Sequence, residues 1–217
     1  MFKKLNLSRA NRVFVVGDIH GAYSKLEAAL SEFDFNPLNG DHLLSVGDLV
    51  DRGPENERVL EFLAHGWFHA IQGNHEEMLI EPNFAYLSAQ NGGEWFFKLE
   101  PDHQAAIRKE LKRLPYIMEV LVPSGKRVGL CHASFPSSDW NDAEELLKDD
   151  RAKQEIIWDR RRLKEVKLLG FGRTVENIDH VYYGHTPLNG PFHAGNQSWI
   201  DTAAYHEEGH FTIIEVT

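Results

Sequence analysis

The first 80 residues alternate between short apolar runs and stretches with helical spacing. Residues 12–16, 42–46 and 67–71 are short, mainly apolar runs, and a glycine follows each of them closely, so they predict three strands. Between them, apolar side chains recur at helical spacing in residues 22–33, and residues 54–65 begin with a proline suited to a first helical turn. Strands that alternate with helices in this way predict parallel pairing through right-handed crossovers.

The pattern in the rest of the chain is less regular. A helix is expected from Glu76, and residues 82–115 are typical of helix apart from the interruption at Asn91-Gly-Gly93. The aromatic cluster Trp95-Phe-Phe97 predicts core packing in preference to a substrate platform, and residues 141–154 predict an exposed, charged helix. Further strands are expected at residues 127–131, 179–183, 198–201 and 211–216. We expect one domain, residues 1–217, because no repeat or linker divides the chain.

Composition and charge narrow the class of protein. The net charge of −10 disfavours nucleic acid as a partner, because an acidic surface repels phosphates at long range. No apolar run approaches the ~18–20 residues needed to cross a bilayer, so no membrane association is predicted. The first 12 residues do not resemble a secretion signal, and the single cysteine, Cys131, is read as a core residue that fits a reducing compartment. A cytoplasmic location is therefore expected.

Polar residues flanked by glycine follow the predicted strands. Since the carboxyl ends of parallel strands meet at one edge of a sheet, side chains at those ends are expected to lie close together. The residues in question offer only oxygen and nitrogen donors, which suit Mn²⁺, Fe or Zn²⁺. They are Asp18, His20, Asp48, Asn74, His132 and His185.

The same segments resemble a known family. Gly17-Asp-Ile-His-Gly21, Gly47-Asp-Leu-Val-Asp-Arg-Gly53 and Gly73-Asn-His-Glu76 are similar to the three signatures of the phosphoprotein phosphatases, within the calcineurin-like metallophosphoesterases. The resemblance is strongest to the bacteriophage lambda and enterobacterial serine/threonine protein phosphatases. It implies a four-layer α/β/β/α sandwich, which the predicted βαβαβ start fits. It extends to Cys131-His-Ala133, Ile157-Trp-Asp-Arg160, Gly184-His-Thr-Pro187 and Ile200-Asp-Thr202.

The resemblance also implies two divalent metal ions, with Mn²⁺ expected first and Fe or Zn²⁺ as alternatives. Asp18, His20 and Asp48 would hold the first ion, and Asp48 would bridge to a second. The ligands implied for the second ion are Asn74, His132 and His185. Such a site keeps a net positive charge, which an acidic protein needs to attract a phosphate. Two ions that share a hydroxide lower the pKa of that water and present it for direct attack on phosphorus.

Two arginines are predicted to bind the phosphate. Arg52 lies inside the second signature, and Arg160 matches the arginine of the family's Trp-x-Arg motif. Guanidinium groups bind phosphoryl oxygens in pairs and stabilise the charge of the transition state. The neighbouring Arg161 and Arg162 are predicted to be surface residues.

The resemblance identifies His75 as the general acid that protonates the leaving alkoxide, with Asp51 orienting it. Symmetrical diadenosine-tetraphosphate hydrolases resemble this chain elsewhere but typically lack the carboxylate at Asp51. We therefore predict a phosphatase that hydrolyses phosphoserine and phosphothreonine, with phosphotyrosine as a further substrate, in proteins or peptides. Diadenosine-tetraphosphate hydrolysis and a non-catalytic metal-binding interaction module are the alternatives. Ala203, where the family usually has glycine, predicts a differently shaped loop near His185.

Overall fold

The computed structural model describes residues 1–170, 172 and 174–216, and within them it contains ten strands and eight α-helices. The strands are β1 (Phe2–Asn6), β2 (Val13–Val16), β3 (His42–Ser45), β4 (Phe68–Ala70), β5 (Ile117–Leu121), β6 (Arg127–Cys131), β7 (His180–Tyr183), β8 (Phe192–Ala194), β9 (Gln197–Trp199) and β10 (Ile213–Glu215). The helices are α1 (Tyr23–Ser31), α2 (Val59–Ala64), α3 (Asn74–Ile80), α4 (Ala85–Gln90), α5 (Pro101–Leu111), α6 (Ala143–Leu146), α7 (Asp150–Trp158) and α8 (Arg161–Leu169).

The strands form two sheets. The smaller sheet has the order β10-β2-β3-β4, in which β2, β3 and β4 are parallel and β10 is antiparallel to β2. The predicted βαβαβ start is therefore confirmed as β2-α1-β3-α2-β4. The larger sheet has the order β1-β5-β6-β7-β9-β8. In it β6, β7 and β9 are parallel and β1 is parallel to β5, whereas the β5–β6 and β8–β9 pairs are antiparallel.

The layers follow from the alternation of side chains along the strands. On β2, Val13 and Val15 point into a core that also contains Met118 and Val120 of the larger sheet, so this core lies between the two sheets. Phe14 and Val16 point the other way and pack with side chains of α1, α2 and α5. On the far face of the larger sheet, side chains of β5, β6, β7 and β9 pack with those of α7 and α8. The fold is thus the predicted α/β/β/α sandwich.

Several local predictions are wrong. Residues 141–154 do not form one helix, because a 3₁₀ turn at Trp140–Asp142 and helix α6 are separated from α7. Asp149 interrupts the helical run by accepting the backbone N–H of Arg151 at 2.8 Å, as an N-cap residue does. The predicted helix at residues 54–65 begins later, with a 3₁₀ turn at Asn56–Arg58 before α2. The pattern gave no prediction for β1, β5, β8 and α8.

None of the helices in the described ranges is both long and apolar enough to cross a membrane.

Candidate active site

The predicted ligands converge at one edge of the sandwich, and both sheets contribute. Loops after β2, β3 and β4 of the smaller sheet and after β6 and β7 of the larger sheet supply them. All six side chains are buried: Asp18, His20, Asp48, Asn74, His132 and His185.

Asp48 lies at the centre of this cluster. Its Oδ2 is 3.5 Å from Nε2 of His20, and its Oδ1 is 3.2 Å from Nε2 of His132. Oδ1 of Asn74 lies 3.0 Å from Nε2 of His132 and 2.8 Å from Nδ1 of His185. One carboxylate therefore faces donor atoms on both sides, which is the arrangement that a ligand shared by two cations requires.

Two groups of potential ligands can be drawn from these atoms, each with its donor atoms within 4.8 Å of one another. One contains Asp48, His132 and His185, as the sequence predicts. The other contains Asp48 and His20 but has His75 in place of the expected Asp18. Oδ2 of Asp18 nevertheless lies 3.9 Å from Nε2 of His20.

Hydrogen bonds to backbone carbonyls fix which ring nitrogen of His20 and of His132 faces the cluster. Nδ1 of His20 lies 2.9 Å from the carbonyl oxygen of Val50, and Nδ1 of His132 lies 2.7 Å from that of Val46. A carbonyl only accepts, so these Nδ1 atoms carry the proton and the Nε2 lone pairs face inward. His185 is turned the other way, with Nδ1 2.8 Å from Oδ1 of Asn74. Its Nε2 lies near both the carbonyl oxygen of Trp158, at 3.1 Å, and the donor Nε of Arg160, at 3.2 Å, so these contacts do not select one tautomer.

His75 differs from those three histidines. Its Nδ1 lies 2.8 Å from Oδ2 of Asp51, so a carboxylate and not a carbonyl engages the ring. A carboxylate also stabilises the protonated imidazolium form. Nε2 of His75 faces the cluster, 3.9 Å from Oδ2 of Asp48. His75 thus has a carboxylate partner, which suits proton transfer, and its Nε2 also lies among the potential ligand atoms of the cluster.

The backbone of the site is strained. Five of the ten residues predicted for the site have positive φ angles, namely His20 (47°), Asp48 (49°), Asp51 (72°), Arg52 (69°) and His185 (68°). Residues other than glycine seldom adopt this region, and such strain persists where the surrounding structure enforces it. A glycine permits the tightest approach, because a Cβ on Gly184 would overlap Oδ1 of Asp18.

Glu76 holds two of the loops together, a role that the sequence analysis did not assign. Its carboxylate accepts the backbone N–H groups of Asp48, Leu49 and Gly73 at 2.8–2.9 Å. Burial, followed by the charge of Asp48, raises the pKa of Glu76 to about 7. Glu76 is the third residue of α3, where an acidic residue commonly reaches back to the N-cap, and this spacing was the available signal.

The charges of the site fit divalent cations. Burial, and then repulsion from Asp201 and Asp48, raises the pKa of Asp18 well above its usual value. Burial also raises the pKa of Asp201, whose Oδ2 is buried without a hydrogen-bond partner among the described residues. Burial lowers the pKa of His185 to about 3, which keeps it neutral as a ligand must be. Unpaired buried carboxylates are costly, and cations bound among them would remove that cost.

Arg52 and Arg160 are exposed and lie next to the buried cluster. Nη1 and Nη2 of Arg52 lie 2.9 Å and 3.1 Å from Nε2 of His20 and His75. Nε of Arg160 lies 3.2 Å from Nε2 of His185. The two guanidinium groups are thus next to different halves of the cluster, where they could contact one phosphate from two directions.

Two aromatic residues near the site had no assigned role. Tyr205 stacks under the guanidinium of Arg52, with 4.8 Å between Cζ and the ring centre, and its edge packs on His20. Trp95 donates its indole N–H to Oδ1 of Asp51 at 2.8 Å. The prediction of core packing for the aromatic cluster is confirmed for Phe96, which is fully buried, but Phe97 is exposed. No sequence signal identifies Tyr205.

Two smaller predictions can be compared with the structure. Arg161 is exposed as predicted, whereas Arg162 is half-buried and donates from Nε to Oε1 of Gln197 at 3.2 Å. Ala203 has a φ of 53°, so the alanine adopts a left-handed backbone conformation that favours glycine.

The fold and the buried cluster of aspartate, histidine and asparagine define the class, a metallophosphoesterase. The sequence model of the calcineurin-like phosphoesterases matches residues 11–196. The chain belongs to this family, and its fold implies divalent metal ions.

Individual relatives agree with this assignment. The chain is 34% identical over 212 residues to serine/threonine-protein phosphatase 1 of Salmonella typhimurium, a match that covers 94% of this chain and 92% of that protein. A symmetrical bis(5'-nucleosyl)-tetraphosphatase of Erwinia tasmaniensis is 31% identical over 124 residues, which covers 56% of this chain and 44% of that protein. A serine/threonine phosphatase structure from Saccharomyces cerevisiae superimposes with a TM-score of 0.67 at 19% identity, covering 99% of this chain and 76% of that one, and shows the fold.

Proposed function

We propose that this enzyme is a serine/threonine protein phosphatase, with phosphotyrosine as a further substrate. The observation that carries the proposal is the pair of His75 and Asp51 beside the cluster, with 2.8 Å between Nδ1 and Oδ2. The high coverage of the Salmonella typhimurium protein phosphatase supports the same substrate class, a phosphorylated protein or peptide. Because both sheets supply side chains to the cluster, we further propose that residues 1–217 act as one catalytic domain.

Asp18, His20 and Asp48 would hold one divalent cation, and Asp48, Asn74, His132 and His185 a second, with Mn²⁺ as the expected metal. Bound there, the two cations would supply positive charge and a water of lowered pKa. Asp48 contributes because its carboxylate faces His20 on one side and His132 on the other. The buried Oδ2 of Asp201, which has no hydrogen-bond partner in the part of the chain that the structure describes, supports a requirement for cations at this place.

Arg52 and Arg160 bind the phosphoryl group in this proposal. Both guanidinium groups are exposed and lie within about one hydrogen bond of ring nitrogens of the cluster. A guanidinium that pairs with two phosphoryl oxygens stabilises the charge spread over them in the transition state. Tyr205 supports the planar group of Arg52 from one side and so limits its motion.

His75 protonates the leaving oxygen. Asp51 engages Nδ1, which leaves Nε2, the nitrogen that faces the cluster, as the atom from which a proton would pass to the leaving oxygen. A serine or threonine alkoxide is strongly basic, and its departure therefore requires a proton. General acids of this type contribute roughly 10²–10⁴ in rate.

The second candidate function is symmetrical diadenosine-tetraphosphate hydrolysis. The similarity to the Erwinia tasmaniensis enzyme favours it, although the chain matches only 44% of that protein. The leaving group of that reaction is a nucleotide phosphate, which needs little protonation. The buried carboxylate of Asp51, which supports an acid, therefore favours phosphomonoesters.

The test compares substrates and leaving groups. Purified protein with added Mn²⁺ is expected to hydrolyse a phosphoserine peptide faster than diadenosine tetraphosphate. His75→Asn is expected to reduce kcat on the phosphoserine peptide by roughly 10²-fold or more. The loss on p-nitrophenyl phosphate should be much smaller, because its phenolate leaves without a proton.

The control is His103→Asn, which changes a histidine outside the cluster that contacts Glu57. It should leave both rates unchanged. Metal content is measured in each variant, since a lost metal would lower all rates together. Faster cleavage of diadenosine tetraphosphate, with equal losses on the two phosphomonoesters in His75→Asn, would transfer the assignment to the second candidate.

A further inference from the structure

The carboxylate of Asp51 has two partners, and only one of them belongs to the acid pair. Oδ2 lies 2.8 Å from Nδ1 of His75, and Oδ1 accepts the indole N–H of Trp95, also at 2.8 Å. Asp51 is fully buried. Both oxygens of the carboxylate are therefore oriented by named side chains, and the indole N–H can only donate.

The backbone around this contact is built to bring Trp95 to Asp51. Trp95 belongs to the 3₁₀ segment Gly93–Lys98, which lies against the turn that contains Asp51 and Arg52. Gly92 has a φ of 95°, and a Cβ there would lie 2.7 Å from the backbone nitrogen of Arg52. Such close packing leaves the turn little room to relax.

The Trp95 ring itself is anchored by the core. It packs edge-to-face on Phe96, with ring centres 5.6 Å apart, and Phe96 is fully buried beneath the guanidinium of Arg108. The segment thus connects a rigid part of the core to a strained turn. A loosely held indole would add little, whereas an anchored one fixes the direction of the carboxylate it contacts.

We infer that Trp95 is a positioning residue for leaving-group protonation, and that its indole N–H sets the orientation of Asp51 and hence of His75. The inference rests on the proposed role of His75 as general acid. On this inference, the segment Gly93–Lys98 contributes to the preference of the enzyme for substrates with poor leaving groups. Trp95 does not touch the reacting atoms in this arrangement, and acts through Asp51.

The test uses Trp95→Phe, which keeps an aromatic ring and removes the N–H. We expect kcat for a phosphoserine peptide to fall about tenfold, because a hydrogen bond to a charged group is lost. KM and metal content should stay unchanged, and kcat for p-nitrophenyl phosphate should change less than about twofold, since that ester needs little acid catalysis. The matched control is Trp67→Phe, which makes the same chemical change in a tryptophan packed on Phe35 and Phe62.

A double-mutant cycle separates positioning from a general structural effect. In a His75→Asn background, Trp95→Phe is expected to cause no further selective loss, because the residue through which it acts has been removed. Equal losses on both substrates, or an additive loss in the double variant, would overturn the inference. If His75→Asn is itself unselective, the proposed function fails. If His75→Asn is selective and Trp95→Phe is not, only the inference fails.

A measurement that needs no Trp95 variant checks the contact directly. The indole N–H resonance of Trp95 in the unmodified protein should exchange slowly with solvent and should move in Asp51→Ala, which lacks the acceptor. Indole resonances that all stay in place in Asp51→Ala would overturn the geometric basis of the inference.

Discussion

His20 and His132 each place Nδ1 against a backbone carbonyl and turn Nε2 toward the cluster. This contact selects one tautomer, since a carbonyl oxygen accepts only from a protonated nitrogen. His75 has the same ring but a carboxylate partner. At the scale of a single residue, the hydrogen-bond partner of the ring nitrogen that faces away from the cluster therefore distinguishes a candidate metal ligand from a candidate acid.

The first prediction separates ligands from phosphate-binding residues. Arg52→Ala is expected to leave metal content near that of the unmodified protein but to lower kcat/KM by about 10²-fold or more, because charge stabilisation in the transition state is lost. Asp48→Asn is expected to lower metal content and activity together, since the central carboxylate is removed. Metal analysis and steady-state kinetics on one phosphopeptide measure both effects.

Arg161→Ala is the matched control for Arg52→Ala. Arg161 is an exposed arginine paired with Asp159 at 2.6 Å. Its removal should change neither metal content nor kcat/KM. An unchanged kcat/KM in Arg52→Ala would show that the exposed guanidinium does not bind the phosphate.

At the scale of elements, an ion pair between Arg12 and Asp41, with its surrounding hydrogen bonds, connects the starts of β2 and β3 to the end of α1. Arg12, just before β2, bonds to Asp41, just before β3, with 2.6 Å between Nη2 and Oδ2. The same guanidinium donates to the carbonyl oxygens of Phe33 and Asp34, just after α1. Asp41 also accepts from Asn11 at 2.8 Å and from the backbone of residue 36 at 2.9 Å. The Arg12–Asp41 ion pair therefore fixes the positions of β2, α1 and β3 relative to one another.

The second prediction concerns the contribution of the Arg12–Asp41 ion pair to stability as a function of pH. Although burial acts to raise it, the hydrogen bonds from Arg12 and its neighbours hold the pKa of Asp41 below its usual value. A depressed pKa in the folded protein stabilises it above the unfolded value of about 3.9, and the stabilisation is lost as pH falls below that. Asp41→Asn should therefore lower the free energy of unfolding by about 1–3 kcal/mol at pH 7, with the difference shrinking below pH 4.

Urea unfolding of the two proteins at pH 7 and pH 3 measures this difference. Asp150→Asn is the control, because Asp150 forms an exposed pair with Lys153 and its loss should have no measurable effect. A difference that is independent of pH would mean that Asp41 acts through its shape and neutral hydrogen bonds.

At the scale of the whole molecule, negative charge is in excess both over the whole chain and in the buried site. The net charge is −10, and Asp18, Asp48 and Asp201 lie together in the interior. Burial, together with repulsion from neighbouring carboxylates, raises the pKa of Asp18 and Asp201, so their charged forms are unfavourable in the folded protein without cations. Cations that bind the folded state and not the unfolded chain would stabilise the whole fold.

The third prediction follows from this linkage. Treatment with chelator should abolish activity and lower the melting temperature, and Mn²⁺ should restore both. A cation at 100 times its Kd contributes about 2.7 kcal/mol, which for a chain of this size corresponds to roughly 5–10 °C. Differential scanning calorimetry with and without Mn²⁺ measures the shift.

Two controls distinguish binding at the site from screening of the net charge. NaCl at matched ionic strength should give a smaller shift, and Asp48→Asn should lose most of the shift caused by Mn²⁺. An equal Mn²⁺ shift in Asp48→Asn would mean that the stabilising cations bind elsewhere.

The sequence alone determined the order β2-α1-β3-α2-β4 and the placement of polar residues at strand ends. Both follow from local rules: the period of apolar residues separates strands from helices, and glycine marks the point where each strand ends. The resemblance of the three signatures supplied the larger architecture and the predicted roles. The sequence left out β1, because Phe2–Asn6 contains two lysines and an asparagine and gives no clear apolar run. It also left out β5, because periodicity alone does not separate a short apolar strand from buried helix.

Only the tertiary structure decided how the ends of both sheets meet and which group contacts each side chain of the site. It brought Trp95 to Asp51, Tyr205 to Arg52 and Glu76 to the loop of Asp48, over sequence separations of 44, 153 and 28 residues. It also selected the tautomers of His20 and His132 and the left-handed backbone at the site. These features depend on packing between distant segments, and a pattern of neighbouring residues carries no information about that packing.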